Sequence, residues 1–418
     1  MMKGQQSIHT SLAENLLETF NIKYYNCNLY VYNNGIYSKD TTILEKKMIE
    51  LDENVTRQTR KEALEYLKIK LSGENISLNK NYINFKNCLY DIKNNIIIPH
   101  SPNVFTLNQI NANYLKDVNT NYYVENYLDK ITSGNANRKK AILEIIGYCM
   151  SPNTDLQKAF IFYGPSADNG KSTSLNIINT LIGENNVCHV SLHDLQNGRF
   201  YAAEIENKLL NSVLELSRKH LDSIEIFKGI VTGDAISIEN KYEKRHSIYP
   251  YAKHIFTANE IPIVEDKTNG FYRRLNILKF EQKYTNEEKR DFDINKLLTQ
   301  NSLDYLANIS LKAYIELINT RVFANDDESN EILSVYKSAD SSLQTYLISN
   351  EFKTLIYDKH NIILRKDLYS NYSDFCIENS YPLIGQNCFY DKIRSSQLFK
   401  DITIQGKRYF RYINIVAP

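Results

Sequence analysis

Ile161-Phe-Tyr-Gly-Pro-Ser-Ala-Asp-Asn-Gly-Lys-Ser-Thr-Ser-Leu175 is an apolar run that breaks into small polar residues and restarts with helical spacing. Lys158 to Tyr163 has the branched and aromatic character of a buried strand, and Leu175, Ile178, Leu181 and Ile182 recur on one helical face after Lys171. A strand, a small-residue loop and a helix in that order read as a phosphate-binding loop. Its backbone N–H groups need close approach to oxyanions, and the helix N-terminus adds a favourable dipole. Gly164, Asp168, Asn169, Gly170, Lys171, Ser172 and Thr173 are the candidate nucleotide ligands. Lys171 is placed to reach the β- and γ-phosphates, and the Ser172 hydroxyl to take a position on Mg²⁺. The strict pattern wants glycine where Pro165 stands; here the glycine is Gly164, one place earlier, so the loop is expected to be one residue longer or turned by Pro165. The bland alternative is an ordinary Gly/Asn turn ahead of a helix.

Downstream, three apolar segments supply what such a loop needs opposite it. Leu209 to Leu216 carries a single acid, Glu215, near its end. A strand ending on a carboxylate suits an ATPase, which uses one to hold Mg²⁺ through water or to polarise the attacking water. His254 to Asn259 ends on a polar residue level with the loop, so Asn259 is expected to orient the γ-phosphate or the water. Arg273 and Arg274 precede the apolar run from Leu275 to Phe280. An arginine lent by a neighbouring subunit to a γ-phosphate is worth roughly 10³ to 10⁵ in rate. Between these, Ile236 to Lys253 alternates as a long hairpin with the tip Lys241-Tyr-Glu-Lys-Arg-His246. Lys241, Lys244, Arg245 and His246 around one tyrosine suit a nucleic-acid strand, through phosphate contacts and base stacking; alone, such a tip is more often a solvated turn.

The whole chain bounds these readings. With 418 residues it has room for two or three domains. Lys and Arg number 50 against 49 Asp and Glu, so any nucleic acid must be met by local patches and not by a global field. Six cysteines are scattered without a C-x-x-C pair, which indicates neither a zinc site nor a disulfide framework. No apolar run is long enough to span a bilayer and MMKGQQSIHT does not read as a secretion signal, so a cytoplasmic protein without a membrane partner is expected.

Residues 1–120 mix a helical start (Leu12, Leu16, Leu17, Phe20), a hairpin through Asn33-Asn-Gly35, a basic helix from Ala63 to Leu71, and a second hairpin turning at Lys93-Asn-Asn95. They hold no spaced carboxylate pair of the kind a primase or polymerase centre needs, so a scaffold or collar is expected there. Residues 121–325 are expected to form the ATPase unit, and residues 326–418 a third domain. In that last part, Leu364 to Asn379 and Phe389 to Leu398 read as helices and Ile402 to Ile415 as a hairpin through Gly406-Lys-Arg408. Helix-turn-helix plus hairpin is a winged helix. Between 392 and 411, Lys392, Arg394, Lys400, Lys407, Arg408 and Arg411 stand against Asp401, a net of +5. Lys392 and Arg394 with Tyr390 on a groove helix, and Lys407 and Arg408 in the wing, are the candidate duplex contacts, with a protein-interaction module as the alternative use of a winged helix.

Each motif is weak alone; their order and spacing are not. From Lys171 it is 44 positions to Glu215, 88 to Asn259 and 103 to Arg274. That set resembles the superfamily 3 helicases, in the branch of phage and plasmid primase-helicases and the poxvirus primase-helicase. The resemblance extends upstream to Asn84-Phe-Lys-Asn-Cys-Leu-Tyr-Asp91, Pro99-His-Ser-Pro102 and Ile110-Asn-Ala-Asn-Tyr114, with Cys88 where that family commonly has glycine. More narrowly it is similar to the self-loading helicases of staphylococcal mobile elements. The resemblance implies an α/β fold with an AAA+-like core, a hexamer fuelled by ATP with Mg²⁺, single-stranded DNA in the ring, and a separately encoded primase or polymerase as partner. By position Lys228 and Asp234 match the family's Lys-to-Gly-Asp motif, Asn259 its first sensor, Arg273 and Arg274 its arginine-finger region, and Lys241 to His246 its DNA-gripping hairpin. An origin-binding initiator whose ATPase drives assembly is the alternative. A small P-loop kinase explains neither the hairpin nor the C-terminal segment.

Overall fold

The computed structural model describes residues 7–164, 168–197, 199–216, 224–239, 245–259, 270–285, 293–338, 342–381, 383–396 and 398–413. The N-terminal part opens with helix Ile8–Thr19, followed by β1 (Ile22–Tyr25), β2 (Asn28–Asn33) and β3 (Ile36–Ser38). Asn34 and Gly35, at φ +48° and +87°, form the turn between β2 and β3 that Asn-Asn-Gly announces. Helices Thr42–Leu51 and Arg57–Leu71 cover this sheet, with Leu16, Leu44, Met48, Ala63 and Leu67 in the core between them. The second helix starts six residues before Ala63 because the Thr56 side chain accepts a hydrogen bond from the Thr59 N–H and caps it.

β4 (Tyr82–Asn84), β5 (Leu89–Asp91) and β6 (Ile96–Ile98) make a small antiparallel meander. Ile83, Phe85, Tyr90 and Ala112 share one apolar cluster with the central part of the molecule. The Pro99-His-Ser-Pro102 stretch explains itself here. His100 Nε2 lies 3.0 Å from Asn84 Oδ1 and 2.9 Å from the Phe85 carbonyl. Its ring also fills the space beside Gly35, where a Cβ would sit 2.7 Å from it.

Helices Tyr122–Ile131 and Ala136–Met150 lead into β7 (Ala159–Tyr163) and helix Lys171–Ile182. β8 (Val187–Cys188), β9 (Leu210–Val213), β10 (Ile236–Ile238), β11 (His246–Ile248), β12 (Lys253–Ala258) and β13 (Leu275–Lys279) follow. Five of these strands form one parallel sheet in the order β13-β7-β12-β9-β8. β12 is buried along its whole length and β7 along all but its last residue, as strands covered on both faces must be. Because all five run the same way, Tyr163, Cys188, Val213, Ala258 and Lys279 end along one edge. β10 and β11 pair antiparallel, Ile236 with Ile248 and Ile238 with His246. The expected hairpin is therefore present in its arms, but it is shorter than Ile236 to Lys253, because β12 belongs to the central sheet. Lys241 and Lys244 lie outside the described residues.

The C-terminal part has helices Ser342–Ile348 and Asn350–Asp358, β14 (Ile362–Leu364), helices Arg365–Glu378 and Gln386–Ser395, then β15 (Phe399–Ile404) and β16 (Lys407–Tyr412). The strands make an antiparallel sheet in the order β14-β16-β15 over a core of Tyr346, Phe352, Tyr372, Phe389 and Phe410. The helix expected from Phe389 to Leu398 runs instead from Gln386 to Ser395. It starts after the extended Gly385 and closes where the Ser396 N–H meets the Lys392 carbonyl. The turn of the last hairpin is Gln405-Gly406, at φ +48° and +76°, so Lys407 and Arg408 open β16 and do not form the turn. The whole is a mixed α/β fold with a parallel five-stranded sheet, and no helix among the described residues is long and apolar enough to cross a membrane.

Candidate functional site

In an open parallel sheet, ligands bind beyond the carboxyl ends of the strands. That edge of the sheet gathers most of the residues singled out above. Gly164 follows β7, its N–H donating to the Ala258 carbonyl at 3.1 Å. Gly170, at φ +87°, turns the chain into helix Lys171–Ile182, and its carbonyl accepts from both the Ser174 N–H and hydroxyl at 2.9 Å. A side chain at 164 is excluded, since a Cβ there would lie 2.3 Å from Asn169 Nδ2 and 2.5 Å from the Phe280 carbonyl. Asn169 is buried, and Tyr284 N–H donates to the Asp168 carbonyl at 2.9 Å, so the segment after β13 braces the loop. Pro165 lies outside the described residues.

Lys171 is 7% exposed, and its Nζ donates to the Gly164 carbonyl at 2.5 Å and to Asn259 Oδ1 at 2.9 Å. These two oxygens are neutral, and burial holds the Lys171 pKa below its ordinary value. A desolvated ammonium facing neutral dipoles, at the N-terminus of a helix, is chemistry that fits a polyanion. Ser172 is exposed on the first turn and Thr173 half-buried. Glu215 is exposed just beyond β9, where the Leu216 N–H still bonds the Thr257 carbonyl of β12 at 2.8 Å. With β12 between β9 and β7, Glu215 and the loop are separated by two strand spacings, about 10 Å. That gap leaves room for a phosphate with its metal and water; Ser172 and Glu215 are the oxygens that would hold Mg²⁺ there. Among the described residues no cluster of three or more His, Cys, Asp or Glu forms a ready-made metal site.

The arginines are elsewhere. β13 runs parallel to β7, so residues just before it lie at the opposite edge of the sheet from Lys171. A short 3-10 turn, Tyr272–Arg274, turns Arg274 inward, where it is 8% exposed and donates to the Gly270 carbonyl at 2.6 Å. Burial first, and then the charge of Arg273, lower its pKa. Arg273 faces solvent and makes no ion pair among the described residues.

At the hairpin, Arg245 Nε donates to Ser237 Oγ at 2.7 Å and His246 Nε2 lies 3.7 Å from Glu206 Oε1, so both are tied to its neck. Sequence reasoning missed the neighbouring aromatics. Helix Arg199–Ala203 packs Ala202 against Ile238 and Ile248 of the hairpin and leaves Phe200 and Tyr201 at 55% and 45% exposed. A pair of large aromatics beside a buried alanine was the available signal. In the C-terminal part, Arg394, Lys407 and Arg408 share a cleft of about 690 Å³ with Arg365 and Lys366, which were not expected. Lys392 is exposed but does not line it. Asn387, Tyr390, Asp391 and Arg394 recur at helical spacing along the cleft, whereas 392 points off that face.

Two protein-family models match the chain: one described as D5 N terminal like, over residues 16–133, and one described as a family of unknown function, over residues 162–274. Among solved structures, the A form apo structure of the NrS-1 C terminal region is 13% identical, covers 98% of this chain and 100% of its own, and superposes with a TM-score of 0.51. A second apo structure of the same region is 14% identical over the same shares, with a TM-score of 0.46. At that identity the first likeness speaks for the fold alone. A D5-like N-terminal stretch followed on one chain by the second matched module is an architecture similar to that of the phage-type primase-helicase-like proteins, the family that the order of motifs resembles.

Proposed function

We propose that the chain is an ATP-driven replicative DNA helicase that works as a hexameric ring, with hydrolysis at subunit boundaries. One observation carries this reading. Lys171, Asn259 and Glu215 end at one edge of the sheet, while Arg273 is offered to solvent at the other, about five residues of strand or roughly 16 Å away. One copy cannot bring its own arginine to its own phosphate site, but a neighbour in a ring can. Counted in chain order the sheet runs 5-1-4-3-2, an order that supports a phosphate-loop ATPase of the AAA+ kind. The C-terminal order of helices and strands supports a winged helix.

On this reading the N–H groups at the start of helix Lys171–Ile182 wrap the β-phosphate, and Lys171 exchanges the Gly164 carbonyl and Asn259 Oδ1 for phosphate oxygens. Released Asn259 orients the attacking water, Glu215 accepts its proton, and Arg273 of a neighbour neutralises charge as it develops. Mg²⁺ held at Ser172, and through water at Glu215, would neutralise further phosphate charge. Phe200 and Tyr201 beside the basic hairpin offer faces for unpaired bases of single-stranded DNA, and a separately encoded primase or polymerase would use the strand released. Labelled forks of both polarities test the proposal: strand separation with ATP and none with a non-hydrolysable analogue is expected, and forks left intact with ATP would refute it.

The basic C-terminal cleft favours a second reading, an origin-binding initiator whose ATPase drives assembly. Strand displacement on a fork without origin sequence, or its failure until such sequence is added, separates the two.

A further inference from the structure

The C-terminal cleft lies between the start of helix Arg365–Glu378, helix Gln386–Ser395 and the β15–β16 hairpin. Arg365, Lys366, Arg394, Lys407 and Arg408 line it against the single acid Asp391, so five cations less one anion leave +4. The five are held differently. Lys366, Lys407 and Arg408 are exposed and form no ion pair among the described residues. Arg365 is nearly buried, with its side chain 11% exposed. Its guanidinium lies 4.8 Å from the Phe410 ring and 6.0 Å from the Tyr390 ring, and its Nε has no hydrogen-bond partner. Its Nη2 pairs with Asp401. Arg394 divides itself between Asp391 at 2.6 Å and the same Asp401 at 3.1 Å.

One carboxylate, on β15, thus bridges two arginines from two different helices, with one oxygen on each. Two guanidiniums converging on two oxygens of one anion is also the way arginines take a phosphodiester. We propose that the cleft is a backbone clamp for duplex DNA in which Asp401 is an internal stand-in for a phosphate, displaced when DNA seats. This rests on the reading of the C-terminal part as a duplex-binding winged helix. Displacement is cheap on the Arg394 side, where both partners are 42% exposed, and the incoming phosphate takes over the nearly buried Arg365 so that its charge is never left unpaired. Neither arginine collapses when Asp401 leaves: the rings of Phe410 and Tyr390 still hold Arg365, and Asp391 still holds Arg394. The cations spread over three elements and outnumber the single lining acid five to one, which suits a running polyanionic backbone.

The test uses the full chain and a short fluorescent duplex, with affinity read by anisotropy across a salt series. Asp401→Asn removes one charge without changing shape, and Asp401→Ser is a second variant with the same expectation; melting curves check that both fold. Each is expected to bind the duplex several-fold more tightly. The slope of log K against log salt should steepen by about 0.9, the value of one further neutralised phosphate. The double variant Lys407→Ala/Arg408→Ala should bind more weakly. If that double variant weakens binding while the Asp401 variants bind no tighter and keep the wild-type slope, the stand-in is refuted and duplex binding stands. If the double variant binds as wild type does, the duplex reading fails and the clamp with it. A polyglutamate peptide that displaces the duplex at equal charge concentration would overturn DNA as the ligand in favour of an acidic protein.

Discussion

Positive charge is held in opposite ways in the central sheet and in the C-terminal part. Lys171 meets a carbonyl and an amide oxygen, and Lys253, 2% exposed, donates to the Ser151 and Tyr251 carbonyls beneath the Tyr148 ring. His254, 1% exposed, meets Asn211. No carboxylate bonds to any of the three in these contacts. Burial pushes Lys253 down to about 7 and, with the charge of Lys253 beside it, His254 down to about 3. The C-terminal arginines meet carboxylates at a half-open surface. The difference separates two kinds of demand. A buried cation with neutral partners either gives up its proton or waits for an anion, so its ligand must arrive desolvated and stays. A surface cation with a carboxylate partner exchanges one anion for another, at a rate and affinity that salt controls.

Arg273 belongs to neither class, being exposed and without an ion pair among the described residues, and that makes its removal the sharpest test. Arg273→Ala is expected to keep nucleotide binding and lose about 10³-fold or more of DNA-stimulated hydrolysis. Inactive Arg273→Ala and inactive Lys171→Ala subunits mixed together should regain turnover, since each supplies what the other lacks. An Arg273→Ala variant with normal turnover would move the burden to buried Arg274 or remove the subunit-boundary mechanism.

Next in size is Lys171→Ala. Loss of a preorganised cation at the reacting phosphate should lower turnover by about 10² to 10³. Because the Lys171 ammonium is buried and desolvated, its loss should leave the melting temperature unchanged or raised. A variant that melts much lower while still hydrolysing ATP would show the ammonium to be a structural prop, and would erase its contrast with the C-terminal arginines.

The sheet edge was legible in the sequence because its signals are local. An apolar strand stops, a small or polar residue follows, and parallel pairing carries Gly164, Asn259 and Glu215 to one side wherever the strands sit in the sheet. What was hidden depends on facing and on partners far along the chain. Tyr390 and Arg394 share a helix face and Lys392 does not, but which face lines the cleft is set by what the helix packs against and not by the helix's own sequence. Arg365 joins the cleft only because Phe410 and Tyr390 stack against it from distant segments. Arg273 and Arg274 are adjacent in sequence, yet one turn sends them to opposite environments. The His100 ring beside Gly35 likewise joins two segments whose spacing says nothing of their contact.

The smallest expected effect concerns stability. His254 sits between the rings of Phe227 and Phe256, its Nδ1 facing Asn211 Nδ2 at 3.1 Å and its Nε2 buried without a hydrogen-bond partner. Its folded pKa of about 3 is below its unfolded value, so on acidification the unfolded chain takes up the proton first. The stability that neutral His254 contributes is therefore complete above about pH 6.5 and falls away as pH drops toward 3, by up to about 1.4 kcal/mol per unit. Urea titrations at pH 7 and pH 5.5 should thus differ by about 1 kcal/mol more in the wild type than in His254→Phe, which replaces one ring with another. Asn211 Nδ2 keeps its bond to the Val190 carbonyl at 2.9 Å in that variant, so the sheet has no other reason to respond to the change. Asp401→Asn, on the exposed side of the comparison, should leave this pH difference intact. Equal pH differences in wild type and His254→Phe would mean that the imidazole is protonated without unfolding, and that the central sheet tolerates a buried unpaired cation after all.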